Sequence, residues 1–215
     1  MEGKCSRWKE CEAVNQIGCS GCGFQHFEKI LEANKNNQIL ESLGNKFFSL
    51  CSKQRKGTGG RVALDKPIKE LLMEEISELK ELSSNYLRVK LTIKQEEVDF
   101  KIKCEGAFQY NGKYIFYEVK GYGDNTNDVL SAITAAQLLK EIPKYKDSHY
   151  FYIGISSGKK DYKEGLKRGA FFDKSRVGVT PYVKWAESKG FLKFYGIIDI
   201  KDLLEEIKNI IQSKS

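Results

Sequence analysis

The stretch Glu105-Gly-Ala-Phe-Gln-Tyr-Asn-Gly-Lys-Tyr-Ile-Phe-Tyr-Glu-Val-Lys120 decides the fold of this chain. Asn111-Gly112 lies at its centre and is a strong signal for a β-hairpin, because a type I′ turn needs a positive φ at both central positions. With these two residues as the loop, counting back along both strands puts Glu105 opposite Glu118. The sequence therefore predicts two carboxylates at one pair position of a hairpin.

Two carboxylates at one pair position repel each other, since their Cβ atoms lie only about 4.5–5.5 Å apart. A divalent cation would remove that repulsion. Lys120 follows Glu118 by two residues and shares its face of the strand, where the ammonium can reach a metal-bound water. Asp99 has the same parity as Glu105, but the register carries it about 20 Å down the ladder. Glu105, Glu118 and Lys120 therefore form one candidate cluster.

A fourth acidic candidate lies on the helix that precedes the strands. Asp65 and Pro67 are a favourable start for a helix that runs to about Leu82. On that helix Glu75 falls near the middle of the apolar stripe. Burying a lone charge is costly, so we expect Glu75 to be protonated, paired with a Lys or Arg, or directed toward the same cation.

Apolar spacing predicts helices at the N-terminus and a sheet in the middle of the chain. Residues 24–51 carry apolar residues at helical spacing around a polar interruption, which predicts two helices. From residue 86 the period changes to two, and three alternating runs predict an antiparallel meander. A helix over 128–142, a buried strand over 149–156 and an amphipathic helix over 200–212 follow. This order predicts an α/β or α+β fold with a mixed central sheet flanked by helices.

The sequence resembles the PD-(D/E)XK nuclease superfamily, and in particular type II restriction endonucleases. The match runs from Glu105-Gly-Ala-Phe108, over thirteen residues from Glu105 to Glu118, to Glu118-Val-Lys120-Gly121 at the end of the hairpin. Cys104-Glu105 stands where the family has Pro-Asp. The resemblance covers about residues 60–156. It implies a restriction-endonuclease-like fold and hydrolysis of a phosphodiester to leave a 5′-phosphate.

The resemblance also implies roles for individual residues. Glu105 and Glu118 would bind Mg²⁺, with the Val119 carbonyl as a further ligand. Lys120 would position or activate the attacking water, and Glu75 would be the acidic residue of the preceding helix. The chemistry is metal-assisted in-line displacement, in which the ion lowers the pKa of the water and offsets charge on the phosphate. A solvated hairpin with ordinary cross-strand ion pairs is the alternative interpretation.

Four of the six cysteines fall within the first 22 residues, namely Cys5, Cys11, Cys19 and Cys22. The turn Cys19-Ser-Gly-Cys22 is typical of a knuckle in which two sulfurs bind one zinc ion. His26 is a possible replacement for one cysteine, and an iron–sulfur cluster suits four cysteines equally by count. We expect a structural Zn²⁺ in a Cys-rich module with helices over residues 1–52, followed by the nuclease-like domain over 53–215.

Composition bounds the classes of protein to which this chain can belong. The chain has 215 residues, of which 40% are hydrophobic and only 3 are Pro, which excludes a disordered or collagen-like chain. It has 36 Lys and Arg against 29 Asp and Glu, a net charge of +7, which favours a polyanionic partner. No apolar run approaches the ~20 residues of a membrane-spanning helix. The N-terminus lacks the apolar core of a secretory signal, so we expect a cytoplasmic protein with reduced cysteines.

Two basic stretches are candidates for DNA contact, and both are equally compatible with solvated faces. Their candidate residues are Lys53, Arg55, Lys56 and Arg61 in the first stretch, and Lys159, Lys160, Lys167 and Arg168 in the second.

The sequence interpretation is a Mg²⁺-dependent type II restriction endonuclease that acts on double-stranded DNA. Cutting both strands needs two sites, so we expect a homodimer, by analogy with the family. A structure-specific or repair nuclease with the same site is one alternative. A zinc-stabilised DNA-binding adaptor without catalysis is the other.

Overall fold

A computed structural model describes residues 5–12, 23–53, 64–83, 86–120, 126–154 and 179–213. The chain divides into two compact units, Met1–Leu71 and Leu72–Ser215. Within the described ranges, no helix is both long enough and apolar enough to cross a membrane.

The first unit contains the two helices expected over residues 24–51, and this prediction is confirmed. Helix α1 is Gly23–Ala33 and helix α2 is Gln38–Ser52. The Asn37 side chain caps α2 by accepting a hydrogen bond from the backbone N–H of Leu40 at 3.0 Å. Gly44 lets the helices approach closely, since a Cβ there would lie 2.7 Å from a methyl carbon of Leu31.

The second unit is built on a five-stranded mixed sheet. Its strands are β1 (Lys80–Glu81), β4 (Gly106–Tyr110), β5 (Lys113–Lys120), β6 (His149–Gly154) and β7 (Lys193–Gly196). They lie side by side in the order β1-β4-β5-β6-β7. The pairs β1–β4 and β4–β5 are antiparallel, whereas β5–β6 and β6–β7 are parallel. The mixed central sheet predicted from the sequence is therefore confirmed.

Strands β2 (Tyr86–Ile93) and β3 (Glu96–Lys103) form a separate two-stranded antiparallel sheet. The prediction of one continuous meander is therefore wrong. The chain bends at Cys104 and Glu105 between β3 and β4. The edge of β4 that a meander would give to β3 is taken by β1, and the backbone N–H of Leu82 donates to the Ala107 carbonyl at 2.9 Å on that edge.

Helix α3 spans Asp65–Glu75 and ends well before Leu82, where the sequence predicted its end. The cause is tertiary: Lys80 and Glu81 leave the helical path to pair with Gln109 and Phe108 as strand β1. The sheet edge therefore overrides the helical pattern of this segment.

Three further helices flank the sheet: α4 (Thr126–Lys140), α5 (Val179–Ser188) and α6 (Ile200–Gln212). The bounds of α6 agree with the sequence prediction, and its six buried apolar residues form the predicted stripe. Helices α4 and α5 share one buried core with β2–β3 and the larger sheet. Its members include Val89, Cys104, Phe116, Ile133, Tyr152 and Val183.

Candidate active site

The β4–β5 hairpin has the turn and the register that the sequence predicted. Asn111 and Gly112 have φ values of 44° and 82°, both in the left-handed region. The ladder runs from Tyr110 opposite Lys113 to Gly106 opposite Tyr117. One residue further back, the backbone N–H of Glu105 donates to the Tyr117 carbonyl at 3.1 Å. Glu105 therefore lies at the point where the two strands separate.

Three charged side chains meet where the ladder ends. The Lys120 Nζ atom lies 2.5 Å from Glu118 Oε1 and 3.1 Å from Glu105 Oε1. The other oxygen of Glu105, Oε2, accepts a hydrogen bond from the backbone N–H of Val119. We call Glu105, Glu118 and Lys120 the carboxylate–lysine cluster. The structure thus brings together the three residues that the sequence placed in one site.

The carboxylate–lysine cluster lies largely out of solvent. The side chains of Glu105, Glu118 and Lys120 are 21%, 15% and 25% exposed. With both carboxylates ionised and the ammonium protonated, the cluster carries one surplus negative charge. A bound cation would offset this surplus, and water screens it less here than it would at the surface.

Burial and charge shift the pKa values of the cluster. Burial, followed by the charge of Glu118, raises the pKa of Glu105, and Lys120 and the Val119 N–H only partly oppose that shift. Burial by itself would lower the pKa of Lys120. Hydrogen bonds and charges from Glu118 and Glu105 outweigh it, so the pKa of Lys120 lies above its ordinary value. The lysine is therefore a cation at neutral pH.

The residues on either side of Glu105 have structural reasons for their identity. A Cβ at Gly106 would lie 1.9 Å from a ring carbon of Tyr117, so the ring packs directly on the backbone beside Glu105. Cys104 is fully buried. Burial and the Glu118 charge raise the pKa of its thiol to about 12, which keeps it protonated. Cys104 therefore contributes packing, not a nucleophile.

Val119 presents backbone groups to the cluster. Its side chain is buried, and its N–H faces the carboxylate of Glu105. The N–H and C=O of one strand residue point to the same edge. The Val119 carbonyl consequently lies on the edge of β5 that carries Glu105, where the sequence interpretation expected a metal ligand.

The donor set of the cluster is suited to magnesium. Within the described ranges, no group of three or more His, Cys, Asp or Glu side chains is placed to hold a metal ion. Mg²⁺ commonly binds through only one or two carboxylates and completes its octahedron with waters and substrate phosphates. Two carboxylates and a strand carbonyl meet that requirement with oxygen ligands alone.

Glu75 does not occupy the buried position that the sequence predicted. Its side chain is 41% exposed, and its carboxylate pairs with Lys208 of α6 at 3.8 Å. The prediction of burial is wrong because it assumed a helix to Leu82, whereas Glu75 is the last residue of α3. Of the three states expected for Glu75, pairing with a Lys or Arg is the one observed. Asp99 is also outside the cluster, exposed on β3 opposite Lys90.

Several predicted binding residues lie outside the described part of the chain. Of the four cysteines, Cys5 is buried and Cys11 is partly exposed. Cys19 and Cys22 are not among the described residues, and neither is the side chain of His26, so the zinc site stays a prediction. Of the predicted DNA contacts, the structure describes only Lys53, which is exposed at the end of α2. The others, which also stay predictions, are Arg55, Lys56, Arg61, Lys159, Lys160, Lys167 and Arg168.

Sequence reasoning missed a basic strand face close to the cluster. Arg88, Lys101 and Lys103 lie on the polar face of the β2–β3 sheet, where Arg88 is directly opposite Lys101. The available signal was the period-two alternation, which puts all three on the face opposite to Val89 and Ile102.

Comparison with known proteins identifies no relative: no protein-family model, curated protein or solved structure matches this chain.

Proposed function

We propose that this protein is a Mg²⁺-dependent endodeoxyribonuclease of the type II restriction kind, which hydrolyses phosphodiester bonds in double-stranded DNA. The observation that carries the proposal is the carboxylate–lysine cluster. Two mostly buried carboxylates share one ammonium at the ends of neighbouring strands. The sequence resemblance supports the same assignment, because Glu105, Glu118 and Lys120 are the residues to which it gives catalytic roles.

Each residue of the cluster has a part in this chemistry. Glu105 and Glu118 would hold the ion, with the Val119 carbonyl as a further ligand. When bound, Mg²⁺ lowers the pKa of a coordinated water and offsets negative charge that builds on the phosphate. Lys120 stays protonated, so its Nζ–H groups donate hydrogen bonds that orient the attacking water. The Val119 N–H holds the Glu105 carboxylate in its orientation.

A purely structural role explains the cluster less well. Ordinary cross-strand ion pairs lie in solvent, as does the pair of Lys90 and Glu97, whose side chains are 66% and 70% exposed. The carboxylate–lysine cluster is instead largely buried and has one more negative than positive charge. Such an arrangement costs stability unless a ligand completes it, and perturbed, buried charges of this kind concentrate at functional sites.

Incubation of plasmid DNA with the protein tests the proposal, with Mg²⁺ in one reaction and EDTA in the other. We expect discrete fragments only with Mg²⁺. Lys120→Ala should lose cleavage by about 10²–10⁴-fold while still binding DNA. The matched control is Lys201→Ala, because Lys201 is an exposed lysine on α6. A fully active Lys120→Ala variant would remove this residue from the mechanism.

The products also separate the two alternative functions. Smearing or nicking of the plasmid would support a structure-specific or repair nuclease with the same site. Intact DNA that is nevertheless bound would support a non-catalytic DNA-binding adaptor. Discrete fragments that persist in EDTA would overturn the metal dependence.

The proposal includes a homodimer that acts in the cytoplasm and a structural zinc ion near the N-terminus. Two strands cut in one event need two sites related by a two-fold axis. Light scattering on the protein with duplex DNA gives the oligomeric state, and a monomer that cuts both strands would overturn the dimer. Metal analysis of protein purified under reducing, anaerobic conditions decides between zinc and iron at Cys5, Cys11, Cys19 and Cys22.

A further inference from the structure

A groove of about 540 Å³ runs between strand β3 and helix α4. Part of its lining is apolar, namely Ile102, Leu130, Ala135 and Leu138. Lys101 and Lys103 line it on the β3 side, and both are exposed. Asn127, Ser131 and Thr134 line the α4 wall and are exposed as well. Because these three are spaced at i, i+4 and i+7, they form one stripe on the helix surface.

The two sides of the groove can contact a phosphate backbone in different ways. Lysine ammonium groups neutralise phosphates, while Ser, Thr and Asn side chains donate hydrogen bonds to phosphate oxygens. No acidic side chain lines the groove among the residues that the structure describes. Arg88, opposite Lys101 on the same sheet face, adds a third positive charge close to the β3 wall.

Strand β3 leads directly along the chain to the carboxylate–lysine cluster. Lys103 ends β3, and Glu105 follows it by two residues. Two residues span at most about 7 Å even when extended. The β3 end of the groove therefore begins within about 7 Å of the Glu105 backbone.

The character of the groove favours paired DNA over single strands. Single-strand sites combine a basic groove with aromatic side chains on which bases stack. Within the described ranges no aromatic residue lines this groove. The exposed ring of Tyr86 contacts the same two lysines, with Lys101 Nζ at 4.3 Å and Lys103 Nζ at 5.8 Å from its centroid. The lining thus favours contact with a phosphate backbone over stacking of unpaired bases.

We propose that the groove between β3 and α4 binds the phosphate backbone of one strand of duplex DNA and leads that strand to the carboxylate–lysine cluster. The inference rests on the proposed function and assigns its substrate contacts to residues outside the two basic stretches. Lys101 and Lys103 bind phosphates, and the α4 stripe fixes the position of the backbone.

Fluorescence anisotropy with a labelled 30-base-pair duplex tests the groove, in EDTA so that no cleavage occurs. The test variant is Lys101→Ala with Lys103→Ala. Its control is Lys189→Ala with Lys201→Ala, which removes the same charge at exposed positions outside the groove. A second variant, Ser131→Glu, puts a negative charge on the opposite wall. Circular dichroism checks that all variants are folded.

We expect the double-lysine variant to bind the duplex about tenfold more weakly or worse, and the slope of log K against log salt to fall by about two. Ser131→Glu should weaken binding too, whereas the control should bind nearly as wild type does. Binding by both groove variants equal to that of the control would overturn the proposal. Lysine-dependent binding that is tighter for the single strand of the same sequence would overturn the choice of duplex.

Cleavage measured in parallel separates this inference from the proposed function. If wild type cuts plasmid DNA with Mg²⁺ while the groove variants bind and cut normally, the groove assignment fails and the nuclease stands. If wild type binds the duplex through the groove but never cuts, the groove assignment holds and the nuclease fails.

Discussion

The two hairpins of the second unit have similar turns but differ in how their charged side chains are arranged. Lys94 and Gln95 in the β2–β3 turn have positive φ values, as do Asn111 and Gly112 in the β4–β5 turn. On the β2–β3 hairpin Lys90 faces Asp99 across the ladder and pairs with Glu97 at 3.2 Å in solvent. The β4–β5 hairpin instead ends in the largely buried carboxylate–lysine cluster.

This difference shows which charges need a functional explanation. An exposed pair of opposite charges contributes only about 0–1 kcal/mol, so the Lys90–Glu97 pair is ordinary surface chemistry. At the end of the second hairpin, burial and then the charge of Glu118 raise the pKa of Glu105, and two carboxylates share a single ammonium. The Lys90–Glu97 pair thus needs no functional explanation, whereas the cluster of the second hairpin has a charge arrangement that a bound cation would stabilise.

The largest effect on cleavage should come from replacing a carboxylate of the β4–β5 hairpin, with the same replacement on the β2–β3 hairpin as its control. Glu118→Gln keeps the size of the side chain but removes a metal ligand, so we expect plasmid cleavage with Mg²⁺ to fall by at least about 100-fold. Glu97→Gln removes an exposed carboxylate of the other hairpin and should cut as wild type does. Equal cleavage rates for the two variants would remove the functional distinction between Glu118 and Glu97.

A second effect concerns the backbone beside the cluster. Gly106→Ala would put a Cβ 1.9 Å from a Tyr117 ring carbon, so either the ring or the backbone must shift. We expect a loss of about 3 kcal/mol in the free energy of unfolding, at the upper end of overpacking costs. Urea denaturation measures it. A loss below about 1 kcal/mol would mean that the Tyr117 ring moves freely and does not fix the position of Glu105.

The smallest effects should come from the turns, and they should have opposite signs. Gly112→Ala meets no atom within 4 Å but forces alanine to a φ of +82°, at a cost of about 1 kcal/mol. Gln95→Gly relieves about 1–2 kcal/mol of strain at a φ of 74° and loses about 0.5–1 kcal/mol in chain entropy. Thermal unfolding should therefore show a slightly higher melting temperature for Gln95→Gly and a lower one for Gly112→Ala. Shifts of the melting temperature in the same direction for both variants would contradict the view that both turns need a residue suited to positive φ.

Local signals in the sequence were enough to predict the cluster. The Asn111-Gly112 turn fixes the register, and the register and the strand alternation bring Glu105, Glu118 and Lys120 together. The α6 helix follows in the same way from its apolar spacing. These predictions succeed because each depends on neighbours within one element or one hairpin.

Long-range contacts account for what the sequence could not predict. Strand β1 has only two residues, yet it occupies the outer edge of β4, separates β3 from the sheet and ends α3 at Glu75. No periodicity is visible in two residues, so both the meander and the burial of Glu75 were mispredicted. The groove between β3 and α4 was missed for the same reason, since its walls meet only in the folded chain.

The central claim is that Glu105 and Glu118 hold one divalent cation, and an electron paramagnetic resonance titration with Mn²⁺ tests it most directly. Mn²⁺ prefers the same oxygen ligands as Mg²⁺ and reports its bound fraction without any cleavage. We predict saturable binding of one Mn²⁺ per chain that Glu105→Gln with Glu118→Gln abolishes and Glu96→Gln with Glu97→Gln leaves intact. Saturable binding that survives the loss of both cluster carboxylates, or none in the wild-type protein, would contradict the account.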